Sequence, residues 1–266
     1  MESPIVTLTT DWGTKDFFSG MVKGRLYSLI SGVRVVDITH NIDPYNLVHA
    51  AFVVKNGCME FPKGTIHIID VNTVETRENG FIIVVYKGQY FICTDNGLPS
   101  LVFEDKWESV TLINAYQDSS FYTFAAYNLF CKIAMLLAAD TDLAEIGERV
   151  DALKPCSGVS YVENKDSLLA YVMYIDNYGN VYLNVKYSEF NKIRKGRAFE
   201  LRIGKYKVTE VLLSYADTQQ NGPLKQLVLT VSATGYLQLA LNQASAQQLL
   251  GMKVREPITI VFHEEM

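Results

Sequence analysis

The stretch Val6–Leu26, "VTLTTDWGTKDFFSGMVKGRL", decides the fold class. Its short β-branched opening reads as a buried strand that stops at Asp11. A glycine and a second acid, Asp16, follow. The pattern then turns helical, with Phe17, Met21, Leu26 and Ile30 near one face. Strand, polar end, helix is how an α/β domain begins, and ligands of open α/β sheets collect beyond the carboxyl ends of strands.

The same punctuation recurs downstream. "VRVVDITH" predicts a second buried strand with a polar end at Asp37, Thr39 and His40. "NLVHAAFVVKNGCMEF" predicts a helix closed by Pro62 and Gly64. "TIHIID" is a third strand, ending in Asp70, and "FIIVVYKGQYFICTDNG" a hairpin turning at Lys87 and Gly88. The apolar "YNLFCKIAMLLAA" predicts a further helix, followed by "DLAEIG". Around "ERVDALKPCSG" the composition changes, which puts a boundary near Pro155. Residues 1–155 then form an α/β N-terminal domain with a mixed or parallel sheet, and residues 156–266 an all-β, barrel-like C-terminal domain. Strand-like segments fill the second part, from "SLLAYVMYID" to "PITIVFH", with turns at "NYGN", "NGP" and "ATG" and one short helix at "ASAQQLLG".

A chain of 266 residues suits one large or two modest domains, each with its own core. Its formal charge of −5 gives no electrostatic case for nucleic acid or an anionic membrane. None of its four cysteines forms a C-x-x-C pair, so no zinc or redox motif is indicated. No apolar run reaches spanning length, and the first residues show no basic segment followed by an apolar core and a small-residue cleavage site. The expectation is a cytoplasmic protein with free thiols and a small-molecule partner. His40, His49, His67 and His263 lack metal spacing, and no phosphate loop or G-x-S-x-G elbow occurs.

Several acids stand where chemistry is possible. Asp16 either caps the following helix or faces a ligand. Asp11 ends a buried strand and needs a partner; one carboxylate can accept both hydroxyls of a vicinal diol such as a ribose edge. Asp70 and Arg77 either form an internal ion pair or hold a reacting group between them. "YIDNYGNVYLNV" joins Asp176, Gly179, Asn180 and Tyr182, and a plain hairpin turn also accounts for its Asn and Gly.

Taken in order, these pieces resemble one family, the S-adenosylmethionine (SAM) hydroxide adenosyltransferases, relatives of fluorinase and chlorinase. The resemblance is carried by "TTDWGTKDFFSGMVKG", "DITHNIDPYNL", "TDNGL", "IDNYGNVYLN" and "SATGYL". It implies an N-terminal α/β domain and a C-terminal β-barrel, assembled as a homotrimer with SAM or adenosine at the subunit interfaces and no further cofactor. By position it implies that Asp11 grips the ribose hydroxyls and that Asp16 and Asp176 hold the methionine ammonium. Tyr45 and Phe124 would line the ribose and sulfonium, with Asn180 and Tyr182 near the adenine. Members that use water hold it with an Asp, an Arg and a His. The first two line up as Asp70 and Arg77, while Ala125 stands in the histidine's place, and "DVNTVETR" lacks the glycines and proline of the usual loop. The implied activity is hydrolysis of SAM to adenosine and methionine. Its alternatives are a binding protein with little or no turnover, or a halide-using transferase, which a carboxylate at position 70 opposes by repulsion.

Overall fold

The structure, a computed structural model, describes residues 3–74, 76, 79–114, 123–213 and 227–263. The chain divides into two compact units, Met1–Gly158 and Val159–Met266.

The first unit is built on strands β1 (Ile5–Thr10), β2 (Arg34–Thr39), β3 (Ile66–Asp70), β4 (Phe81–Tyr86), β5 (Gln89–Thr94), β6 (Ser109–Ile113) and β7 (Gly147–Val150). They form one mixed sheet in the order β2-β1-β3-β5-β4-β6-β7. Strands β2, β1, β3 and β5 run parallel, and β4, β6 and β7 join by antiparallel pairing. Alternate residues of the central strands enter two different cores, the pattern of a sheet covered on both faces. Ile66, Ile68, Phe81, Ile83 and Ile92 pack on one side with helices α1 (Phe18–Leu29) and α4 (Cys131–Ala138). Ile69, Ile82, Val84, Phe91 and Cys93 pack on the other with α2 (Leu47–Gly57) and α3 (Leu98–Phe103). Each such side chain, fully buried, contributes roughly 1.5–3 kcal/mol.

Three local readings are revised. On α1 the inward face is Val22 and Leu26, continued by the buried Ile30, whereas Phe17 is 69% exposed. The i, i+4, i+8 spacing of those three is the better match to a helical stripe. Strand β2 is not buried: it is the sheet's edge, and it meets the cores only with half-buried side chains, Val35 on one face and Ile38 on the other. The helix expected over 127–139 starts as a single π turn, Ala126–Phe130, before continuing as α4. The hairpin stands as read: Lys87 and Gly88 both take positive φ (53° and 70°), the two-residue turn that matches strand twist. A short helix α5 (Leu143–Ile146), capped by the Asp142 carboxylate, leads into β7.

In the second unit the strands are β8 (Val162–Asn164), β9 (Ser167–Ile175), β10 (Val181–Lys186), β11 (Ala198–Ile203), β12 (Tyr206–Val208), β13 (Val211–Leu212), β14 (Leu227–Val231), β15 (Tyr236–Leu241) and β16 (Pro257–His263). They make a nine-stranded sheet in the order β12-β11-β16-β9-β10-β15-β14-β13, with β8 alongside β9. Strict alternation sends Leu168, Ala170 and Val172 of β9 inward with Val181, Leu183 and Val185 of β10. Helix α7 (Ala246–Leu250) falls where "ASAQQLLG" predicts it. Helix α6 (Tyr187–Arg194) was not expected; it closes the same core with Phe190 and Ile193. No helix among the described residues is long and apolar enough to cross a membrane.

Candidate functional site

In the first unit the carboxyl ends of β1, β3 and β5 lie side by side. Thr10 is in register with Asp70, and Ile68 with Ile92. The residues leaving these strands therefore meet: Asp11 and Trp12 from β1, Asp70 at the end of β3, and Asp95 and Asn96 from β5.

Asp11 ties three loops together. Its Oδ2 accepts the backbone N–H of Tyr45 at 3.0 Å and of Asn72 at 3.4 Å. Tyr45 reaches it through a left-handed backbone (φ 65°), which leaves the phenol 73% exposed. The next residue, Asn46, caps α2 by accepting His49 N–H. Asn96 works from the other side, donating Nδ2 to the carbonyls of Val71 at 3.2 Å and Asn72 at 3.1 Å. Asp95 accepts Lys154 N–H on both oxygens, at 2.9 and 3.1 Å. The "TDNGL" motif is thus a clamp, with Gly97 (φ 96°) supplying the turn into α3.

Asp70 is 5% exposed. Burial pushes its carboxyl up to about 6; the Thr73 hydroxyl opposes that rise, the charge of Asp11 adds to it, and the Trp12 indole opposes it. Trp12 donates Nε1–H to Asp70 Oδ2 at 3.0 Å. The indole is stacked on His40 (centroids 5.6 Å, planes 13° apart) and meets Phe124 edge-on at 5.2 Å. Phe18 packs on the other edge of Phe124, also at 5.2 Å. His40 is held by Thr10 Oγ1, 2.7 Å from Nδ1, and by Asp37 Oδ1, 3.1 Å from Nε2. The first unit thus gathers Asp11, Asp70, Tyr45 and Phe124 at one end of its sheet.

Asp16 is exposed, and it does not cap α1, whose N-cap is Phe17 with no side-chain bond. Ala125 is buried, directly before the π turn. Arg77, expected to partner Asp70, lies outside the described residues. Trp12 was missed in the sequence. Its signal was an indole directly after a strand-ending acid.

The second unit carries its own polar cluster at the turn between β9 and β10. Asp176 Oδ1 accepts Tyr178 N–H and Asn180 N–H, each at 2.9 Å. Its Oδ2 accepts Asn180 Nδ2 at 2.8 Å and the Tyr182 hydroxyl at 3.4 Å. Both oxygens are thereby engaged, the Tyr182 contact being the longest and weakest. Gly179 (φ 78°) lets the turn lie against Ser245, the N-cap of α7. Strand alternation puts Tyr182 on the face away from the core, in register with Tyr174 and Gln238. Asp176, Asn180 and Tyr182 line a groove of about 790 Å³ with Ser232, Gln238 and Ser245.

Carboxylates and aromatics gather at the parallel strand ends of the first unit, and the strand-rich second unit carries a separate groove, places where ligands of such folds commonly sit. The chain belongs to the SAM hydroxide adenosyltransferase family: the family's N-terminal domain matches residues 6–147 and its C-terminal domain residues 170–259. It is similar to the (R)-S-adenosyl-L-methionine hydrolase of Methanocaldococcus jannaschii, at 25% identity over 97% of this chain and 96% of that one. It is also similar to the fluorinase of Nocardia brasiliensis, at 25% identity over 91% of each chain. Among solved structures, an uncharacterized conserved protein from Thermotoga maritima superposes with a TM-score of 0.85 at 25% identity, over 97% of this chain and 99% of that one.

Proposed function

We propose that the protein hydrolyses SAM to adenosine and methionine. The observation that carries this reading is Asp70, a buried carboxylate at the strand ends whose pKa, about 6, is suited to a base working near neutrality. Water attacks the ribose C5′, the C5′–S bond breaks, and its electron pair stays on sulfur as the thioether of methionine. Asp70 takes the proton that the attacking water loses. A sulfonium leaves as a neutral group, so the main task is to place the water in line with the breaking bond. Similarity to hydrolases over nearly the whole chain supports the same reaction.

On this reading Asp11 keeps one oxygen on the backbone and offers the other to the ribose diol. Tyr45 and Phe124 flank the sugar and sulfonium, and Arg77 favours hydroxide character in the water. Asn180 and Tyr182 serve the adenine end. Asp16, which has no side-chain bond among the described residues, takes the methionine ammonium. Asp176 joins it only if the long Tyr182 contact is released. The second unit is the barrel-like partner domain, and three copies assemble so that each site takes its two halves from neighbouring chains. SAM is the substrate, and no further cofactor takes part. The test is incubation with SAM containing both sulfonium epimers and chromatography for adenosine and methionine. Their appearance in equal amounts supports the reading, whereas unchanged SAM refutes it.

A further inference from the structure

Trp12 leaves β1 one residue after Asp11, and three rings fix its plane. His40 lies parallel beneath it, Phe124 abuts its edge, and Phe18 backs Phe124. So held, the indole N–H meets Asp70 Oδ2 at 3.0 Å. An indole N–H only donates and does not titrate in the working pH range, so it can neither give Asp70 a proton nor take one. A hydrogen bond of this kind favours the ionised carboxylate and restrains its plane.

We infer that Trp12 is a positioning residue for Asp70, holding the carboxylate ionised and oriented toward the water it activates. This rests on the reading of Asp70 as the base. Among the described residues, the other groups facing Asp70 are Asp11 from β1, which opposes ionisation, and the Thr73 hydroxyl, which assists it. From α4 comes Cys131, whose thiol burial pushes up to about 12, with the charge of Arg25 on α1 acting on that thiol. None of these replaces a fixed donor locked by a ring stack.

The chain has two tryptophans, so Trp107→Phe leaves Trp12 as the sole indole. In that protein the emission of Trp12 should contain a titration near pH 6 that disappears when Asp70→Asn is added. The double variant serves as the control for pH-dependent emission from any other source. Trp12→Phe keeps an aromatic ring at this position but removes the N–H together with part of the bicyclic ring that packs on His40 and Phe124. In single-turnover adenosine release its acid limb should move up by about one pH unit, with the plateau rate about tenfold lower. A purely structural role would lower the rate without moving the limb. A folded Trp12→Phe protein with an unmoved limb overturns the inference, and so does emission with no Asp70-dependent component. If Trp12→Phe does not fold, the emission titration of the otherwise native chain decides alone. If no protein releases adenosine yet the Asp70-dependent component is present, the Trp12–Asp70 coupling stands and the hydrolase reading falls.

Discussion

Asn96 donates its side-chain amide to the carbonyl of Asn72 at 3.1 Å, joining the end of β5 to the loop that leaves Asp70. The loop has neither the glycines nor the proline of the family pattern, and Asn72 sits at a positive φ of 50°. The Asn96 side chain holds this loop through the carbonyls of Val71 and Asn72. Asn96→Ala leaves two carbonyls without this donor and should cost about 1–3 kcal/mol of stability. Adenosine release should fall with it, although Asn96 is assigned no contact with substrate. Thermal melting alongside single-turnover kinetics checks both effects.

Asp70 ties activity and stability to pH in opposite senses. Its folded value of about 6 lies above the ordinary 3.8, so between those values the folded chain binds more protons than the unfolded one. This weakens folding as pH rises, by at most roughly 3 kcal/mol, and the full cost is in place above pH 6. Asp70→Asn should therefore raise Tm at pH 8 and leave it nearly unchanged at pH 4, while lowering turnover by a hundredfold or more. In the native chain, turnover should rise with pH through about 6 and then level off. A variant destabilised at pH 8 would contradict the assignment of cause.

Asp11→Asn tests the ribose contact. The amide oxygen can still accept Tyr45 and Asn72 N–H, which leaves its NH2 group facing the diol where an acceptor is needed. Adenosine affinity should weaken by roughly 1.5–3 kcal/mol with little change in Tm. Calorimetry that finds unchanged affinity removes Asp11 from the site.

How much of this was legible in the sequence follows physical lines. The polar ends of β1 and β3 stood out because an acid directly after a buried strand is conspicuous, and the Lys87–Gly88 turn because only two residues separate apolar runs. The edge position of β2 was hidden, since its Val35, Val36 and Ile38 look like core until strand order is known. Helix α6 was hidden in a polar stretch, where Phe190 and Ile193 are buried and Tyr187 packs beside them. The family motifs marked Asp11, Asp70 and Asp176, but not that Asp11 and Asp176 already spend oxygens on their own loops. The Trp12–Asp70 bond depends on a ring orientation set by His40 and Phe124, which no local pattern encodes.

Gly179→Ala probes the second unit. A Cβ there would lie 2.7 Å from Ser245 Cβ and 3.1 Å from its Cα, on a backbone with φ of 78°. Either strain alone costs about 1–3 kcal/mol, and the turn carrying Asp176 and Asn180 should shift from the cap of α7. Lower thermal stability together with a raised KM for SAM is the expected result. An unchanged melt would mean that the turn is not packed against Ser245.

The most direct test of the central claim is a single turnover with SAM, containing both sulfonium epimers, in water enriched in oxygen-18, read by mass spectrometry. Attack of water at C5′ predicts adenosine carrying one heavy oxygen at its 5′-hydroxyl and one unlabelled methionine for each adenosine. Adenosine without the label, or SAM recovered intact from protein that binds it, would contradict the account.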